Sequence, residues 1–88
     1  MVAFHNQRLK DSICREFWQN LNVKAEENSS HVCLRNLKLE WQSVFAINYH
    51  SQLGIPDLPF FDFLDNDRVF MLSELNRRLV IVDLPTPD

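Results

Sequence analysis

Cys14, His31, Cys33 and His50 are the side chains a zinc ion would select, but their order and separations lack the close paired spacing of a structural zinc module. His31 and Cys33 stand two residues apart, which on a helix sends them to diverging faces. Buried thiols acting as small apolar groups account for Cys14 and Cys33 without a metal. Nucleophilic catalysis would need a Cys or Ser beside a general base and an orienting group, and no local motif supplies that set. Gly54 is the only glycine, so there is no glycine-rich loop to cradle phosphate. Asp57, Asp62, Asp65 and Asp67 are dense enough to suggest a cation site, yet they lack the glycine and terminal glutamate of a calcium loop. As turn and capping residues they need no ion. The sequence points to a non-enzymatic chain with no catalytic residues, no cofactor and no metal.

The elements that would position these groups are read from a chain of 88 residues, enough for one domain with a modest core. An apolar fraction of 45% beside 24% charged residues argues against wholesale disorder. The formal net charge is −3, with six basic and five acidic residues up to Val44 and three basic and seven acidic from Phe45 onward. The acidic second half suits a basic partner surface or simply a solvated face. Scattered cations in an acidic chain argue against a domain that works mainly by neutralising phosphates. The N-terminal stretch does not read as a secretory signal, and the longest apolar run, Leu79 to Val82, is far too short for a membrane span. With two cysteines read as reduced, the expected setting is intracellular, cytoplasmic or nuclear. Asn28-Ser29-Ser30 matches a glycosylation acceptor pattern.

Scarce glycine and the lack of Asn-Gly or Asp-Gly pairs favour helices over hairpins. A first helix is expected over about 6–21, with Leu9, Ile13 and Phe17 on one face widened by Cys14 and Leu21. A long central helix is expected over 29–53, capped by Asn28, Ser29 or Ser30 and stopped by Gly54 and Pro56. On it Leu34, Leu37, Trp41, Val44 and Phe45 form a core stripe, and Val32, Leu39, Ala46 and Leu53 recur every seven residues on nearly the opposite side. A proline- and phenylalanine-rich strap, IPDLPFFDFL, follows. A third helix is expected over about 67–80, opened by Asp65-Asn66-Asp67 and carrying Met71, Leu72, Leu75 and Leu79, with a short strand at Leu79–Val82 as the alternative. The tail from about residue 84 should be irregular. The expected fold is therefore all-α: a single three-helix domain in which Leu9, Ile13 and Phe17 pack with Leu34, Leu37, Trp41 and Phe45 and with Leu72, Leu75 and Leu79.

A helix apolar on two sides needs two covers, and a chain this short has few elements to supply both. The expected function is therefore a protein–protein interaction module, a homodimer or a small adaptor or regulatory subunit. Its contact surface would use Val32, Leu39, Ala46 and Leu53, with Phe60, Phe61 and Phe63 of the strap serving either as a lid on the core or as part of the interface. The alternative is a nucleic-acid-binding regulator that uses Arg68, Arg77 and Arg78 on the third helix.

Overall fold

A period of two, not 3.6, organises residues 29–48. In the computed structural model, which describes residues 6–85, Val32 and Leu34 face one way and His31 and Cys33 the other, as the side chains of a strand must. The elements in chain order are β1 (Gln7–Arg8), α1 (Ser12–Asn20), β2 (Ser29–Arg35), β3 (Trp41–Asn48), β4 (Phe60–Asp65), β5 (Arg68–Leu72) and β6 (Leu79–Asp83). They form two antiparallel three-stranded sheets, β1-β2-β3 and β4-β5-β6.

The all-α expectation is thus overturned, and with it the central and third helices. Only the first survives, shortened to Ser12–Asn20 and preceded by a strand. The physical reason lies in the turns. Leu37 and Leu39, which complete the helical spacing, sit in the β2–β3 connection, where Leu39 takes a φ of 63°. Asn36 makes that turn: its side-chain carbonyl accepts the amides of Lys38 (2.9 Å) and Glu40 (3.0 Å). Asp65 does the same for the amide of Asp67, and Asn76 for that of Arg78. The Asp65-Asn66-Asp67 cluster therefore turns a hairpin and caps no helix. Gly54 does adopt the left-handed conformation, φ 67°, but after two single helical turns that leave β3, closed by Gln52 to Asn48 and Gly54 to His50.

The core lies between the sheets. Val32, Leu34 and Ile47 from the first sheet meet Val69 and Met71 from the second, with Tyr49, Ile55 and Leu84 closing the sides. Several residues expected in the core are outside it: Leu37 is 84% and Leu75 72% exposed, and Ile13, Leu72 and Leu79 also face solvent. Helix α1 covers the far face of the first sheet, where Cys14 and Cys33 are joined in a disulfide with Cα atoms 5.8 Å apart. This corrects the reading of two buried thiols. Phe17 stacks on Trp41 with centroids 5.7 Å apart, and the Arg35 guanidinium lies 3.9 Å over the same indole. Asn6 ties the first sheet to the β4–β5 turn by two bonds to Asn66, at 3.0 and 2.8 Å. After β6, Leu84 is buried and donates its amide to the Asp67 carbonyl at 2.8 Å, so the chain stays docked beyond the last strand. The expected irregular tail otherwise falls on residues 86–88, outside the described part, as does 1–5 of the expected single domain.

Candidate functional site: the uncovered face of the second sheet

The three strands of the second sheet, FFDFLD, RVFML and LVIVD, are apolar at both alternating positions. A sheet with one dry and one wet face should alternate apolar with polar; near-continuous apolar strands are the mark of a sheet covered on both sides. Register fixes which residues share a face. Phe61, Met71 and Val80 stand opposite one another, as do Phe63, Val69 and Val82, and both rows point into the core. The intervening rows are Phe60–Leu72–Leu79 and Asp62–Phe70–Ile81, and they point away from it. On this outer face Phe60 is 59%, Leu79 60% and Ile81 53% exposed, and the Phe60 and Phe70 rings lie 5.8 Å apart. Nothing in the described chain covers them.

The seven residues expected to contact a partner are scattered by this fold. Val32 is fully buried in the core; Leu39 lies in the β2–β3 turn; Ala46 sits on β3 opposite His31, on the side of α1; and Leu53 packs against the core after β3. The stripe does not exist because the helix does not. The aromatic strap is split by strand alternation: Phe61 and Phe63 line the core with centroids 6.5 Å apart, and only Phe60 reaches the outer face. Sequence reasoning missed Phe70, Leu72, Leu79 and Ile81 as surface residues, and the signal that would have found them was the lack of polar alternation in three successive short runs.

Charge surrounds the face unevenly. At one end Arg68 is held by Asp65, whose Oδ2 accepts from Nη2 at 2.7 Å and from Nε at 2.8 Å; this hydrogen bond lowers the Asp65 pKa and raises that of Arg68. Asp67 and Asp83 add further negative charge around the same guanidinium. At the other end the β5–β6 turn carries Arg77 and Arg78 beside Glu74. There Asp57 accepts from the Ser73 hydroxyl and the Leu75 amide, and the Ser73 bond holds its carboxyl below the ordinary value. Arg68, Arg77 and Arg78 lie on a strand and in a turn, so no helix aligns them.

The remaining chemistry-bearing residues do not come together. His31 is buried against α1, its Nε2 accepts the Glu26 amide at 3.3 Å, and burial lowers its pKa against a smaller upward pull from Glu26. His50 is exposed in the turn after β3. Among the described residues no three His, Cys, Asp or Glu side chains converge to hold a metal, and no helix is long and apolar enough to cross a membrane. No protein-family model, curated protein or solved structure matches the chain significantly.

Proposed function

We propose that this protein is a non-enzymatic interaction module that pairs with a second copy of itself through the outer face of the β4-β5-β6 sheet. The observation that carries the reading is the cluster of Phe60, Phe70, Leu72, Leu79 and Ile81 on strands whose other face is already the core. Full burial of such side chains is worth roughly 1.5–3 kcal/mol each, before the cost of association. A twisted sheet is a good complement to another sheet at about 10 Å, and a two-fold axis lets one surface serve both copies. An axis running across the strands lays the Asp65–Asp83 end of one copy over the Arg77–Arg78 end of the other, so unlike charges meet.

Three strands about 4.8 Å apart and the two rows about 6.8 Å apart span a footprint of about 200 Å², well under the roughly 800 Å² per partner of a standard interface. The dimer is accordingly weak and concentration-dependent, and a larger partner would use the same face as the centre of a wider contact. The Cys14–Cys33 bond also belongs to the reading: such a bond persists in an oxidising compartment, which favours that setting over the intracellular one expected from free thiols.

Light scattering over a concentration series tests the proposal. The mass should rise toward that of two chains for the natural sequence and stay at 10.4 kDa, the mass of one chain, for Leu79→Asp. A concentration-independent mass of one chain for the natural sequence refutes it.

A further inference from the structure

A second feature lies at the opposite edge of β4, where the chain between Leu58 and Phe61 passes the turn joining β1 to α1. A cleft of about 610 Å³ opens there, within the range of small-molecule sites. Its apolar walls are Leu9, Trp18, Leu58, Pro59, Phe60 and Phe61, and Arg8, Lys10 and Arg15 also line it. Among the described residues no Asp or Glu does, although carboxylates outnumber Lys and Arg by 12 to 9 in the chain. The cations are also unequally engaged. Arg8 is shared between Asp11 at 3.9 Å and the Phe61 carbonyl at 3.5 Å. Arg15 donates Nη2 to the neutral Lys10 carbonyl at 2.8 Å, and neither Arg15 nor Lys10 joins an ion pair among the described residues. Trp18 spends its indole N–H on the Leu9 carbonyl at 2.8 Å, so what it offers the cleft is ring surface. Leu58 stands at the mouth, 81% exposed.

We infer that this cleft binds a small amphipathic anion, a hydrocarbon or aromatic body ending in one carboxylate, with the body against Trp18, Phe60 and Phe61 and the carboxylate between Lys10 and Arg15. Neither half of the site suffices alone. Two solvent-facing cations hold a free carboxylate weakly because water screens them, and an apolar cleft with no anchor does not distinguish one oil from another. Adding the apolar body brings the head group beside the cations with part of its hydration removed, where the ion pair gains strength. The site is separate from the pairing face except for Phe60, so it stands whether or not the chain self-associates.

The test is NMR titration of the disulfide-bonded chain carrying Ile81→Asp, which removes the competing apolar face. Octanoate, 1-octanol and acetate are the probes, each kept below the concentration at which it aggregates. Octanoate should shift the Trp18 indole N–H and the amides of Leu9 and Phe61, binding about tenfold or more tighter than 1-octanol, with acetate weaker still. Lys10→Gln with Arg15→Gln should erase the preference for octanoate over 1-octanol while 1-octanol binds as before. Equal binding of octanoate and 1-octanol, shifts centred on Leu72 and Leu79, or an unmoved Trp18 indole overturns the inference. The comparison of probes on the parent chain decides the matter even if the double variant fails to fold.

Discussion

The two sheets are built alike, three antiparallel strands each, yet one is wrapped and the other bare. The first has the core on one side and a disulfide-anchored helix on the other, so that in β2 His31, Val32, Cys33 and Leu34 are all buried. The second has the same core beneath it and no layer above, although its strands carry as much apolar surface. The helix is therefore the measure of what the second sheet lacks within the described chain: a cover of that size.

The largest expected effects separate the inner from the outer rows of the bare sheet. Met71→Ala empties a fully buried position and should lower stability by about 2–5 kcal/mol, whereas Leu79→Ala, 60% exposed on the outer row, should change a single chain's stability by no more than about 0.5 kcal/mol while weakening association. Urea denaturation at a concentration too low for pairing measures both, and equal losses would erase the distinction between the faces. Next comes the cover of the first sheet. Replacing Cys14 and Cys33 together by Ala should cost about 3 kcal/mol, the loop-closure value for residues 19 apart, read from the same curves with the native chain as reference. If stability is unchanged, α1 is not held to the sheet by this bond.

A smaller effect is pH dependence beneath that cover. His31 has a lowered pKa in the folded chain, so the unfolded chain binds its proton more readily; stability is full above 6.5, the ordinary value, and falls as pH drops through the lower folded-state value. His31→Gln should flatten the denaturation midpoint across that interval, and an unaltered slope would mean that another group titrates there. The smallest effect expected is at Leu39, held at φ 63°, where Leu39→Gly should leave stability unchanged or raise it by up to about 1 kcal/mol. A loss of more than that would show that the Leu39 side chain is needed in the turn.

How far the sequence revealed this fold depended on the turns. The apolar spacing Leu34, Leu37, Trp41, Val44 and Phe45 imitates a helix, but it runs through a hairpin whose positive-φ residue is Leu39, a side chain that gives no turn signal. Asn22, Asn28 and Arg77 supply three further positive φ values without glycine. The legible clue was Asn36, Asp65 and Asn76, each placed to fold its side chain onto the amide two residues on. Within strands the alternation of His31 with Val32 and Cys33 with Leu34 was masked because both faces are buried, so period two left no polar trace. The helix at Ser12–Asn20 was legible because Cys14, Phe17 and Trp18 keep a helical face. Of the proposed face, Phe60 was among the residues singled out from the sequence, and the proposal carries the argument for an outside cover from a helix over to a sheet.

Intermolecular NOEs between isotope-labelled and unlabelled copies, mixed at a concentration where pairing is extensive, test the central claim most directly. Methyl groups of Leu72, Leu79 and Ile81 should show cross-peaks to the partner copy and to its Phe60 and Phe70 rings, while Val69 and Met71 show none. Cross-peaks confined to the β3 or β6 edges, or none from Leu79 and Ile81, would contradict it.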